Sequence, residues 1–589
     1  MELLYLYIED DAKNIKDCEF NFSPEFHFSY DRNKKFVTVN KRDGYVPNFW
    51  DADNISNITA IIGKNGSGKS NLLEFIIRYY SSSFGLNNKS KRDLLHIYRF
   101  NGQIYVNRSD ISSNYPLLER HYILYPLNIH NNANDTAIIY YTPHYEKDVL
   151  LDLNHNDAKD ISNGGLLKKY GRDRTRVHDT ISKSFSDIER LSIEDTLRQI
   201  ELFMYSNTIY FEDVNLPFAL NIIFKKGAKK LETNNILYNN LFIDKHLSEL
   251  DVIEHVKNRL LYHYFSFDEY IKTLTVSDDM TFDDFIKLTS SDRFYFELVK
   301  LSESQSLIFE NYPKQMGMSS DYLLKFGIKR GEISSGFLYG LYKHYFGGEV
   351  FEAPNTLEWI RVLYSNISFE WTGLSSGELE YFNLLARIYS HLENVMIEKT
   401  KRKKIPHKPV RIKNVILLLD ESENSFHPEW QRLLLSNLIH FLKNALPFYS
   451  FQIILTSHSP ILASDFPKSN IIFLDKDTNG NCKVIDSISR ENTFGANIHT
   501  LYKNSFFLNG LPIGEFAKKK INRLFDELER GIIRKTTLTE IQLVGEPLLK
   551  EQLLKLYKQY ADLPNSINDR IVELEKEVAI LKQKLYDKN

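Results

Sequence analysis

The sequence predicts an α/β fold built around a mostly parallel sheet. Three observations predict it. A short β-branched run, Ile58-Thr59-Ala60-Ile61-Ile62, leads into a glycine-rich turn and then into a helical pattern. Between about 366 and 490, apolar strand-like runs alternate with helical patterns, as in parallel strands joined by crossover helices. The composition, 42% hydrophobic and 26% charged over 589 residues, is that of a folded soluble chain long enough for two or three substructures.

The first sixty residues read as β, with strand-like Leu3–Ile8 and period-two alternation in Glu19–Phe22 and Phe36–Val39. Ile58–Ile62 is apolar on both faces, the pattern of a buried parallel strand. The helix after the glycine turn has apolar residues at three- and four-residue spacing from Asn71 to Ile77. Mixed strand and loop signals follow, ending in Ala137-Ile138-Ile139-Tyr140-Tyr141. Residues 146–365 read as a mainly helical insertion without sustained heptads. The αβ pattern then returns with a helix after Leu374 and strands at Val415–Leu419, Ile453–Leu455 and Ile471–Leu474. Asp475-Lys476-Asp477 and the segment to Val484 read as a hairpin turn. The expected organisation is an N-terminal lobe at 1–145, the insertion at 146–365, a C-terminal lobe at 366–500 and a charged helical region at 501–589. The chain closes on Ile567, Ile571, Leu574, Val578, Leu581 and Leu585 at alternating spacings of four and three. That seam suits either a terminal helix packed on its own domain or a short self-association zipper.

Bulk properties exclude several classes. A net charge of −3 leaves no global field for nucleic acid, so any such surface is a local patch. The two cysteines, Cys18 and Cys482, lie in neither a CxxC nor a metal-spaced cluster. Met1-Glu2-Leu3-Leu4-Tyr5 lacks the basic and apolar stretches of a signal peptide, and no apolar run spans a bilayer, so a cytoplasmic protein with no membrane contact is expected.

Four segments carry chemistry. The turn Gly63-Lys64-Asn65-Gly66-Ser67-Gly68-Lys69-Ser70, followed by Asn71, fits a phosphate-binding P-loop. Its backbone N–H groups and the following helix start wrap an anion, Lys69 adds a point charge, and the Ser70 hydroxyl suits Mg²⁺. ATP and Mg²⁺ are the implied ligands. Asp420-Glu421 ends an apolar strand, offering Asp420 as a metal ligand and Glu421 as general base. Leu374-Ser375-Ser376-Gly377-Glu378 opens a helix and fits an ordinary N-cap with an acidic first turn. His458, in Thr456-Ser457-His458-Ser459-Pro460, follows a buried strand, where a lone histidine is usually structural.

In this order the four segments resemble the head domain of ABC-type ATPases that act on DNA, the group of the structural-maintenance-of-chromosomes and RecF proteins. Asp420-Glu421-Ser422-Glu423-Asn424-Ser425-Phe426-His427-Pro428-Glu429-Trp430-Gln431 is similar to compact defence ATPases of the AAA-15/21 kind, as are Leu6-Tyr7-Ile8, Lys13-Asn14-Ile15 and Phe494–His499. Septu anti-phage ATPase subunits, found also inside some retrons, share these features. The resemblance covers about 1–145 and 366–520.

The resemblance implies an ABC-type head with an inserted helical lobe and a helical C-terminal tail. It casts His458 as a switch histidine near the γ-phosphate, beside Lys69 and Glu421. It makes Ser375, Ser376, Gly377 and Glu378 a signature that caps a nucleotide held by a second subunit, in a homodimer or higher oligomer with ATP between the heads. A separate HNH nuclease is the implied partner, with a reverse transcriptase and its DNA product if the chain is retron-borne. A DNA repair or recombination ATPase of the RecF kind, binding DNA without a nuclease, is the alternative. Two departures stand out: Thr142-Pro143-His144 holds no glutamine where such heads carry one, and Glu378 occupies the usual glutamine place of the signature, which implies slow hydrolysis. An intrinsic nuclease is not expected, since Gly545-Glu546 is followed by no Asp-x-Asp. The basic run Lys399, Lys401, Arg402, Lys403, Lys404, His407, Lys408, Arg411, Lys413 suits either nucleic-acid phosphates or a solvated loop.

Overall fold

The P-loop strand lies inside a seven-stranded sheet whose order follows from which segments are apolar on both faces. The computed structural model describes residues 1–80, 94–108, 110–115, 118–120, 136–144, 158–175, 186–205, 219–225, 322–329, 367–371, 374–393, 412–424, 426–485, 491–498, 500–501, 514–561 and 578. The N-terminal strands are β1 (Glu2–Asp10), β2 (Lys16–Asn21), β3 (Phe26–Asp31), β4 (Phe36–Lys41) and β5 (Ile55–Gly63). Helix α1 (Lys69–Tyr80) comes next, then β6 (Leu94–Phe100), β7 (Gln103–Val106), β8 (Ser112–Ser113), β9 (Leu118–Arg120), β10 (Thr136–Tyr141) and β11 (Ala158–Asp160).

The large sheet has the order β11-β10-β15-β16-β5-β17-β18, with β15 at Asn414–Asp420, β16 at Ser450–Ser457, β17 at Ile471–Lys476 and β18 at Cys482–Ile485. All neighbours pair in parallel except the β17–β18 hairpin at the edge. The central strands are buried on both faces, as their unbroken apolar runs require.

Two further sheets, β2-β1-β6-β7-β9 and β3-β4-β8, complete the N-terminal part. Leu72, Leu73, Ile76 and Ile77 of α1 share one core with Leu3, Leu6, Ile8 and Phe20 and with Ile61, Ile416, Leu418 and Ile454 of the large sheet. The other face of β1 sends Leu4, Tyr5 and Tyr7 into a second core with Phe26, Phe28 and Tyr30. Two successive residues, Leu4 and Tyr5, face the same side because the β1–β6 register shifts between Leu3 and Tyr5, the mark of a bulge.

The stretch expected to be mainly helical is mixed where it is described. It contains α2 (Asn163–Thr175) and α3 (Asp187–Tyr205), but also β12 (Ala219–Lys225) and β13 (Tyr322–Lys329), which join β14 (Ile367–Trp371) in an antiparallel sheet ordered β13-β12-β14. The large sheet also runs past residue 145, since β11 pairs with β10 at Ile138–Ala158. Helix α4 (Ser376–Glu393) packs on α3, and α5 (Pro428–Ala445) connects β15 to β16. Most of the insertion, the basic run from Lys399 to Arg411 and the terminal seam apart from Val578 lie outside the described residues.

The chain divides into two compact units, Met1–Phe507 and Leu508–Asn589. Within the second, α6 (Glu515–Glu529), α7 (Thr537–Gln542) and α8 (Pro547–Ala561) bury Leu524, Leu528, Ile541 and Leu553 together. Glu546 caps α8 by accepting from the Leu549 N–H at 2.9 Å. No described helix is long and apolar enough to cross a membrane.

Candidate functional site

Parallel strands deliver their C-terminal ends to one edge of a sheet, where α/β folds bind ligands. Here Tyr141, Asp420, Ser457, Gly63 and Lys476 end β10, β15, β16, β5 and β17 side by side at that edge. The glycine loop leaves β5 there and opens α1. Gly63 passes so close to β17 that a Cβ would lie 2.3 Å from the Leu474 carbonyl oxygen, and Gly68 has φ +101°, so both positions require glycine.

Within the loop Lys69 is buried, and its Nζ donates to the carbonyls of Gly63 at 3.1 Å and Lys64 at 3.3 Å. Among the described residues no carboxylate lies within ion-pairing distance of it, and burial lowers its pKa despite the pull of Glu421 and Asp420. The buried Ser67 Oγ has no hydrogen-bond partner among the described residues. An ammonium without a counter-ion and an orphaned hydroxyl in one glycine cradle fit a phosphate group. Lys64 and Asn65 are exposed on the rim, where Lys64 pairs with Asp475 at 2.9 Å. Gly66 and Asn71 are held by Asn14, which donates to the Gly66 carbonyl and accepts from the Asn71 amide.

Asp420 is 2% exposed, and both of its carboxylate oxygens are hydrogen-bonded. Tyr140 donates to Oδ2 at 3.1 Å and Thr456 Oγ1 donates to Oδ1, and the nearby Ser70 hydroxyl also favours the ionised form. Burial raises its pKa against those bonds. One carboxylate and one hydroxyl, meeting beside a phosphate cradle, suit Mg²⁺, which keeps waters and substrate phosphates among its ligands. Among the described residues no cluster of three or more His, Cys, Asp or Glu makes a protein-only metal cage.

Glu421 sits in a left-handed conformation with φ +48°, uncommon for a non-glycine residue and costing on the order of 1–3 kcal/mol. Thr456 holds it there, since Oγ1 accepts from the Glu421 N–H at 2.9 Å while donating to Asp420. The carboxylate reaches His458 Nε2 at 3.0 Å through Oε1 and accepts from Asn424 Nδ2 at 2.6 Å through Oε2. His458, Lys69 and Asn424 hold its pKa down at about 2. Behind it, buried Glu423 accepts from Ser457 Oγ at 2.6 Å and from the His458 N–H at 3.1 Å, fixing the strand end that presents His458.

The structure therefore brings Lys69, Ser70, Asp420, Glu421 and His458 to one edge. Ser375, Ser376, Gly377 and Glu378 open α4 as a capping box: the Ser375 N–H donates to Glu378 Oε2 at 2.5 Å, and Ser375 Oγ accepts from the Glu378 N–H at 3.3 Å. Ser375 and Ser376 are exposed. Farther along α4, buried Arg387 donates to both oxygens of Asp195 on α3 at 2.9 and 2.5 Å.

Sequence reasoning missed Tyr140, His144, Asn424, Thr456 and Lys476, whose Nζ would lie 2.7 Å from a Cβ on Gly66. Each sits at or just beyond the end of a strand already singled out, which was the one available signal.

Residues 351–465 match a family model described as "AAA domain, putative AbiEii toxin, Type IV TA system". That span includes Leu374–Glu378, Asp420, Glu421 and His458 but not the glycine loop. No curated protein matches the chain. What the match and the site support together is a P-loop ATPase of the AAA kind on an α/β sheet, which implies a nucleotide and usually Mg²⁺.

Proposed function

We propose that the chain is the ATPase subunit of an anti-phage defence complex, in which two copies clamp Mg-ATP and control a separate nuclease of the HNH type. The backbone of Gly63–Gly68 wraps the phosphates, Lys69 neutralises them, and Ser70 and Asp420 hold Mg²⁺. Glu421 accepts the proton of the attacking water, and His458 stands beside it, facing the γ-phosphate. The metal, when bound, draws charge from the phosphate oxygens. The observation that carries this reading is the buried Lys69 ammonium, without a counter-ion among the described residues, at the strand ends that also present Asp420 and Glu421.

The exposed first turn of α4 supports a role in trans, with Ser375, Ser376 and Gly377 of one copy closing the nucleotide of the other. ATP then favours the closed pair and hydrolysis releases it. The toxin wording of the matching family supports the defence setting. In a retron the reverse transcriptase and its DNA would join the complex.

The test is hydrolysis of Mg-ATP by the purified chain. Lys69→Ala is expected to remove nucleotide binding and turnover together. Glu421→Gln is expected to keep binding and lower kcat by about 10²–10⁴-fold, the usual contribution of a positioned base. Unchanged hydrolysis in both variants would sink the assignment. Purification with the native neighbouring genes then identifies the nuclease partner.

A further inference from the structure

The loop beyond β10 meets the acidic turn beyond β15. The His144 N–H donates to Thr142 Oγ1 at 3.3 Å, so the chain turns back at Pro143 and carries the His144 ring over the strand ends. There His144 Nε2 lies 2.9 Å from Asn424 Nδ2 and 3.4 Å from Glu421 Oε2. Asn424 Nδ2 has two hydrogens, and one is given to Glu421 Oε2 at 2.6 Å. The other is within reach of His144 Nε2, which accepts it in the tautomer that carries the ring proton on Nδ1. His458 takes the opposite carboxylate oxygen at 3.0 Å.

We propose that His144 and Asn424 are positioning residues for the hydrolytic step, with His144 orienting the Asn424 amide and the amide fixing Glu421 Oε2. This rests on the reading above that Glu421 is the base. The arrangement has a physical purpose. The Glu421 backbone is held by Thr456, but its side chain keeps rotatable bonds, and a carboxylate gripped only by His458 could swing away from an attacking water. The second grip removes that freedom. It also ties the base to β10, the strand whose Tyr140 bonds Asp420, so one segment of chain sets both acids of the site.

Misplacement of a reacting group by about 1 Å costs on the order of 100-fold. His144→Ala and Asn424→Ala are therefore expected to lower kcat for Mg-ATP hydrolysis by about 10- to 100-fold, with KM and ATP affinity close to wild type. His144→Gln, whose amide oxygen can accept the same Asn424 hydrogen, is expected to recover turnover to within a few-fold of wild type, which simple loss of packing would not allow. Thermal midpoints of all three variants should match the wild-type chain.

Three outcomes overturn the inference: His144→Ala turning over at the wild-type rate, His144→Gln as impaired as His144→Ala, or a loss confined to ATP affinity. If wild type itself is no faster than Lys69→Ala, the ATPase reading fails and this inference fails with it. If wild type turns over, Glu421→Gln is dead and His144→Ala is unimpaired, only the positioning role fails.

Discussion

The acidic end of β15 and the opening turn of α4 differ in how completely the chain finishes them. Asp420 is closed in by Tyr140 and Thr456 with Ser70 close by, and Glu421 by Thr456, His458 and Asn424, so two neighbouring strands, the start of α1 and the turn after β15 fix the two acids. At the opening of α4 the described bonds of Ser375 and Glu378 are those of their own capping box, with both serines exposed, and the first tie to the sheet comes at Glu380, which accepts from the Tyr141 hydroxyl at 2.6 Å. The more deeply buried anchor lies about three turns farther on, where Arg387 is bonded to Asp195, to the Ile161 carbonyl and to Asn163. The contrast teaches that precision is concentrated where charge must be placed, whereas the exposed start of α4 relies on the local capping that every helix end needs.

The largest way to disturb this contrast is at the anchor. Arg387→Met leaves Asp195 as a buried charge with Arg198 as its one ion-pair partner among the described residues, and breaking such a pair typically costs about 3–5 kcal/mol. Chemical denaturation should show that loss. Thr456→Val removes one donor to Asp420 and the acceptor for the Glu421 N–H without changing side-chain volume. Turnover should fall by about 100-fold with ATP binding retained, as measured by steady-state kinetics and titration calorimetry.

The smallest effect is at the helix start. The Glu378 carboxylate puts a negative charge where a partner's phosphate would approach, and charge at a helix end is worth about 0.3–1 kcal/mol. Glu378→Gln keeps an acceptor for the Ser375 N–H and removes the charge. ATP-dependent association should tighten by about two- to five-fold in sedimentation experiments.

How much of this was legible in the sequence follows from how local each signal is. The glycine loop between β5 and α1, the strands β15 and β16 and the hairpin of β17 and β18 all carry their pattern within ten residues, and each forms where the pattern indicated. Strand β3 was equally readable from the alternation of Phe26, Phe28 and Tyr30 but went unread. The sheet of β12 and β13 was not legible, because its two strands pair across almost a hundred intervening residues. The His144 contact beside Glu421 was hidden for a similar reason. His144 and Asn424 meet across 280 positions, and nothing in Thr142-Pro143-His144 announces an acidic neighbour. The missing glutamine in that segment was visible. What occupies the site instead required the register of β10 against β15, which pairs Tyr141 with Leu419 and so sets His144 beside the turn at Glu421.

The central claim is that one chain's P-loop works with another chain's signature turn. The most direct measurement mixes two inactive variants, Lys69→Ala and Ser376→Arg, in equal amounts and follows Mg-ATP hydrolysis. Random pairing gives half mixed dimers, each with one intact site of two, so the account predicts recovery of about a quarter of wild-type turnover. A mixture as inactive as either parent would contradict it.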